Sequence, residues 1–178
     1  QLADELIKKH GSTPHFAMPR LPQTFLFTIG GFNRATNAPS TSMEVYDSNS
    51  NHWSGDKLEL PVGLDDCTAQ AVVEKIYTSG GKSVDPRTQR SVDSSQTLKL
   101  DVDKNTVECS VPLKEERNCP TSAVVDSTIY IFGGLGQEAV MSLALKSCEK
   151  LDTSQLPLNW ERIRPLEQGR YYARAAAL

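Results

Sequence analysis

Histidine is nearly missing from this chain: His10, His15 and His52 are the only three in 178 residues. None belongs to an H-E-x-x-H or similar spacing, so no ready set of nitrogen ligands is offered for hydrolytic metal chemistry. Cysteine is scarce as well. Cys67, Cys109, Cys119 and Cys148 lie far apart, and no two form the C-x-x-C of a zinc knuckle or redox pair. Scattered thiols fit a reducing compartment at least as well as a disulfide framework, and no asparagine opens an N-x-Ser/Thr acceptor. No apolar run approaches 18 residues, and no basic-then-apolar leader opens the chain. The expected location is therefore cytoplasmic. A surplus of one charge is also lacking: 19 basic and 22 acidic side chains leave a net −3 without a long block of either sign. Such a balance argues against a nucleic-acid footprint. The chain begins with Gln and ends inside an apolar run, so it reads as an excised segment.

What is present is periodic. Glycine pairs stand at Gly30-Gly31, Gly80-Gly81 and Gly133-Gly134, their second members 50 and 53 residues apart. Each follows a short aromatic or β-branched run, which reads as a strand ended by a turn that a Cβ would obstruct. A second marker keeps the same step. Met43-Glu44-Val45-Tyr46-Asp47 precedes Asn51 and Trp53, and Ser147 to Asp152 precedes Asn159 and Trp160. In the middle unit Thr97 to Asp101 precedes Asn105, with Val107 in the tryptophan position. Small-residue strands, 68–73, 121–125 and 172–178, complete the pattern, their low bulk suiting the crowded inner ring of a radial fold. Repeats of this length indicate stacked supersecondary units.

These features resemble the kelch repeat family, including the propellers of BTB-BACK-kelch adaptors. The residues carrying the resemblance are Gly30, Gly31, Tyr46, Trp53, Gly80, Gly81, Tyr77, Gly133, Gly134, Tyr130 and Trp160. Gly169-Arg170-Tyr171-Tyr172 is similar to the family's arginine-bearing lead into an inner strand, whereas Gly63-Leu64 has leucine in the arginine position. The resemblance covers roughly residues 22–178 and implies an all-β, kelch-type β-propeller. Residues 1–21 form a separate region. Leu2, Leu6 and Ile7 share one face, and Gly11 suits a helix end, so a short helix and proline-marked linker are expected, resembling the end of a BACK domain.

With strands lettered a to d from inner to outer, the chain reads b (24–30), c (42–47), d (53–58); then a (67–74), b (75–80), c (96–101), d (107–111). Next come a (120–126), b (128–133), c (146–152), d (159–163), and a final a (172–178). That is about three blades of four-stranded antiparallel sheet. A propeller needs four or more, so the chain is expected to be part of a six-bladed ring. Either it is a fragment of a longer chain, or two copies form a homodimer that closes the ring.

No cofactor or metal is expected. Asp65-Asp66 reads as a solvated pair, and Gly80-Gly81-Lys82-Ser83 lacks the upstream glycine of a phosphate loop. An enzyme resembling the copper radical oxidases remains a remote alternative. Binding is the expected function, because loops on a rigid scaffold are favoured for recognition. Segments 32–41, 59–66, 82–95, 112–119, 134–145 and 164–171 share one end of the expected propeller. Candidate ligand-facing residues are Arg34, Asn37, Arg87, Arg90, Arg117, Asn118 and Arg170, their guanidinium groups suiting an acidic peptide. By resemblance, such a propeller recruits substrates to a cullin-3 ubiquitin ligase through upstream domains. The competing expectation is an actin-binding or scaffold protein associated with the cytoskeleton.

Overall fold

A computed structural model describes residues 25–55, 58–138 and 141–178. The expected helix and linker over 1–21 lie outside the described residues. The described residues form strands and turns throughout. Among them no helix is long and apolar enough to cross a membrane. In chain order the first repeat holds β1 (Phe25–Ile29), β2 (Phe32–Asn33), β3 (Ala38–Pro39), β4 (Met43–Asp47) and β5 (His52–Gly55). The second holds β6 (Thr68–Val72), β7 (Lys75–Ser79), β8 (Lys82–Val84), β9 (Ser91–Asp93), β10 (Thr97–Asp101) and β11 (Thr106–Cys109). The third holds β12 (Thr121–Val125), β13 (Thr128–Phe132), β14 (Leu135–Glu138), β15 (Met141–Ala144), β16 (Cys148–Asp152) and β17 (Trp160–Ile163).

The sheets are antiparallel meanders in the expected order. One runs β6-β7-β10-β11, the next β12-β13-β16-β17, and the first, with three strands, β1-β4-β5. β-Branched and aromatic residues favour pleated, half-buried strands, and the registers set buried apolar residues opposite one another, as with Ile76 against Leu100 and Ile129 against Leu151. The stretches 32–41, 82–95 and 134–145, expected as plain loops, contain the two-stranded ribbons β2-β3, β8-β9 and β14-β15. Their strands are only two to four residues long, too short to show a hydrophobic alternation.

The chain divides into two compact units, the smaller containing described residues 25–27 and Val45–Ser54 and the larger Thr28–Glu44 and Gly55–Leu178. In the smaller, the Tyr46 and Trp53 rings meet at 5.1 Å, and the Tyr46 hydroxyl donates to Asn51 Oδ1 at 2.7 Å. Trp53 nevertheless stays 47% exposed, whereas its repeat mate Trp160 is fully buried. In the larger, the core gathers Val72, Tyr77, Leu113, Ile129, Ile131, Leu151 and Trp160. Trp160 Nε1 crosses from the third sheet to the second, donating to Thr97 Oγ1 at 3.2 Å and the Val111 carbonyl at 3.1 Å. The inner strands β6 and β12 meet through the hydroxyls of Thr68 and Ser122, and Gln70 Nε2 donates to Ser122 Oγ at 2.7 Å.

The expected strand over 172–178 is a correction. Tyr172 sits at φ 50°, and residues 173–178 pair with no described strand. A strand is defined by its ladder bonds, and an unpaired stretch makes none.

The aspartates closing β4, β10 and β16 order the hairpins that follow. Asp47 Oδ1 accepts from Asn49 N–H at 2.9 Å, and Asp152 Oδ1 from Ser154 N–H at 2.9 Å. Asp101 accepts from Lys104 N–H at 3.2 Å and pairs with Lys75 Nζ at 2.9 Å. The Lys75 hydrogen bond, aided by the Lys104 amide, holds the Asp101 carboxyl below its ordinary 3.8. A carboxyl depressed on folding adds stability above the unfolded value and loses it as pH falls through the folded one. Asp101→Asn should therefore flatten the acid limb of thermal stability below about pH 4. An unchanged limb in a melting series would contradict this assignment.

Candidate functional site

Each glycine pair is the hub of one recurring set of backbone bonds. Gly30, Gly80 and Gly133 donate to the carbonyls of Ser42, Gln96 and Ser147 at 2.9, 3.0 and 3.0 Å. Gly31, Gly81 and Gly134 donate instead to Leu64, Arg117 and Arg170 at 2.8, 2.8 and 2.9 Å. Those three acceptors stand 53 residues apart, in the segments leading toward 68–72, 121–125 and 174–178. The next residue of a lead-in segment reaches the following repeat: Asp65 pairs with Lys82, and Asn118 with Leu135. One residue on, Cys119 N–H donates to the Asp66 carbonyl at 3.1 Å and Tyr172 N–H to the Cys119 carbonyl at 3.2 Å. Each lead-in segment is thus a backbone strap between consecutive repeats.

Glycine is required under the strap. Gly80 and Gly134 have φ of +69° and +105°, and a Cβ would meet the Arg117 carbonyl at 2.7 Å in one case and the Asn118 carbonyl at 2.8 Å in the other. Positive φ disfavours L side chains, and a backbone carbonyl at that distance has no room to yield.

The strap changes the standing of three candidate residues. Arg117, expected on a ligand-facing loop, is fully buried. Its guanidinium donates to Gly133 O at 2.6 Å, to Ser147 O and Oγ at 3.1 Å each, and to Glu149 Oε1 at 2.8 Å. Glu115 Oε2 lies 3.3 Å from the same group. Arg117 therefore fastens a strap to β13 and β16 and is closed to a ligand. Asn118 is also buried, its backbone paired with Leu135 and its Oδ1 accepting from Cys119 Sγ at 3.1 Å. Arg170 occupies the strap position of Arg117 but is exposed, Nε donating only to Gln168 O at 3.4 Å. In the second sheet the matching strap residue is Leu64, and the residue matching Glu149 is Leu98; both are buried, at 2% and 0% exposure. One repeat thus uses an ion pair where its neighbour uses two leucines.

The other candidates are exposed on two ribbons. Arg34 and Asn37 are exposed at the tip of ribbon β2-β3, Arg87 and Arg90 at the tip of β8-β9, and strand β3 packs beside β8. Both tips are ordered by a side chain that captures backbone amides. Asn33 Oδ1 accepts from Ala35 N–H at 2.9 Å, and Asp85 Oδ1 from Arg87 N–H at 2.7 Å. Those amides hold the Asp85 carboxyl below its usual range. Such turns fix the loop without using the arginine side chains.

Among the described residues no group of three or more His, Cys, Asp or Glu could hold a metal ion. Burial pushes both the Cys67 and Cys119 thiols up to about 11, and the Cys119 hydrogen bond raises the Tyr172 hydroxyl to about 12. These groups are protonated at neutral pH, so they supply neither thiolate nor phenolate.

Two repeating features went unread in the sequence. Leu60, Leu113 and Leu166, spaced by 53, donate their N–H groups to Thr41, Ser95 and Lys146 carbonyls at 2.9, 2.8 and 2.8 Å. Asp66, Cys119 and Tyr172 keep the same spacing and share φ near +50°. Only spacing could have found the second set, because its three residue types have nothing else in common.

No family model matches the chain, and no curated protein matches it. Solved structures do, with 155 matching chains. One described as "Structure of YjhT" superposes with a TM-score of 0.67 at 12% identity, covering 83% of this chain and 50% of that one. At that identity the likeness speaks of fold alone. The chain is an all-β domain of antiparallel sheets with a propeller-like fold, and it spans half the length of the propeller-fold protein it matches.

Removing one partner of a buried pair leaves the other charged and alone, at a cost of about 3–5 kcal/mol. Arg117→Leu or Glu149→Leu alone should lose that much in urea unfolding. The double variant, matching Leu64 and Leu98, should recover most of it. Costs that simply add in the double variant would show that the two side chains do not act as a pair.

Proposed function

We propose that this chain is a protein-binding module of the kelch propeller type, whose ribbon tips take an acidic peptide segment. The observation that carries the reading is the placement of Arg34, Arg87 and Arg90 on two neighbouring ribbons, exposed and without an acidic partner among the described residues. Recognition surfaces of this kind combine a fixed backbone with side chains whose bonding is unspent. A guanidinium fork can receive a carboxylate in two parallel hydrogen bonds. The kelch assignment is supported by the three glycine pairs and the Tyr46–Trp53 and Trp160 positions, repeated at one step along the chain.

On this reading the module selects a partner for a larger assembly. As a cullin-3 adaptor, the peptide would be a degradation signal in the substrate. As a cytoskeletal scaffold, it would be an acidic stretch on a filament protein.

A synthetic Asp/Glu-rich 12-residue peptide, titrated against the labelled protein by NMR, tests the reading. Shifts should concentrate at 33–38 and 85–91 and weaken as salt rises. The variant Arg34→Ala/Arg87→Ala/Arg90→Ala should bind at least tenfold more weakly. Failure to bind, or equal binding by the variant, would remove the ribbon tips as the site.

A further inference from the structure

The strap arrangement leaves one plug and one socket unmatched. Arg117 is received by Gly133 O, Ser147 O and Oγ, and the Glu149 carboxylate. Aligned on the bond from the first glycine of each pair, those positions are Gly30, Ser42 and Glu44 in the first repeat. All three residue types are identical. The second repeat instead holds Gly80, Gln96 and Leu98, and the strap residue matching Arg117 there is Leu64. A leucine strap residue therefore goes with the leucine-bearing repeat, and Arg117 with the glutamate-bearing one. Arg170 is left as an arginine plug, exposed, and Gly30-Ser42-Glu44 as an arginine socket, with Glu44 exposed and engaged in no hydrogen bond or ion pair with a described residue.

Two backbone features agree. A Cβ on Gly81 would meet the Asp65 carbonyl, and one on Gly134 the Asn118 carbonyl, but one on Gly31 has nothing within 4 Å. The residue one strap further, 53 beyond Asn118, is Tyr171. Likewise Cys119 and Tyr172 send their N–H groups to the preceding strap, whereas Asp66 N–H turns to its neighbour's Asp65 Oδ1 at 2.9 Å.

We propose that the Gly30–Glu44 socket receives the Arg170–Tyr172 strap of a second copy of this chain, and that two copies join reciprocally. Arg170 then bonds Glu44 as Arg117 bonds Glu149, the Tyr171 carbonyl lies against Gly31, and Asp66 N–H reaches the partner's Tyr172 carbonyl. Charge is complementary at both contacts. Two copies also supply the length of the propeller-fold protein of which one chain covers 50%. This arrangement does not depend on what the ribbon tips bind.

Sedimentation equilibrium of the 178-residue chain over about 1–200 μM tests it. The expected mass at high concentration is twice the 19.6 kDa of one chain. Glu44→Leu or Arg170→Leu alone should weaken association by roughly a hundredfold or more, since each leaves a charge unpaired at a closing surface. The double variant Glu44→Leu/Arg170→Leu should associate again, because it reproduces the leucines that stand at these two positions, Leu64 and Leu98, in the second repeat. Circular dichroism should be unchanged in all three, both side chains being exposed in the single chain. A single-chain mass at every concentration would overturn the proposal, as would open-ended growth to higher multiples. So would two single variants that associate like the parent chain.

Discussion

At residues 64, 117 and 170 a backbone carbonyl lies against the first glycine of a pair while accepting a hydrogen bond from the second. No side chain takes part, and none could be inserted. The carbonyl's chain then continues into the next repeat, pairing Asp65 with Lys82 and Asn118 with Leu135. Sheets that would otherwise meet only through side chains are thus also joined by main-chain bonds. Buried peptide groups must find partners somewhere, and here the demand is met by tying neighbouring repeats together.

Side chains elaborate that frame in different ways. The third sheet adds Arg117 and Glu149, and the second adds Leu64 and Leu98. Both pairs of positions are buried, and a buried ion pair gives no general advantage over two well-packed apolar residues. What the ion pair adds is selectivity, since an arginine strap against a leucine socket leaves its charge unmet. The ribbons carry the opposite kind of residue. Their tips are shaped by Asn33 and Asp85, so Arg34, Arg87 and Arg90 are not needed for folding.

The strand order of all three sheets was legible in the sequence because glycine pairs, the aspartates Asp47, Asp101 and Asp152, and the positions of Trp53, Val107 and Trp160 recur at steps of 50 to 54 residues. Burial of single charged residues was not. Arg117 reads like any loop arginine until it is aligned with Leu64 and Arg170, 53 residues to either side. Once aligned, its leucine counterpart signals an interior position. Asn118 likewise stands in a segment that reads as a loop, yet it is buried and paired in the strap. The ribbons escaped because two-residue strands carry no period. The strand over 172–178 is expected from its place in the period, against its own composition, but a period supplies no ladder partner, and none is present among the described residues.

The central claim is that the strap bonds hold the larger unit, Thr28–Glu44 and Gly55–Leu178, together as one cooperative body. Native-state hydrogen exchange measures this directly. The amides of Gly81, Lys82, Asn118, Cys119, Gly134 and Leu135 should exchange only through the slowest, global opening, with the same denaturant dependence as the core strand β13. Ribbon-tip amides such as Thr88 should exchange much faster. Strap amides that exchanged through local openings, at rates close to those of the ribbon tips, would contradict the account.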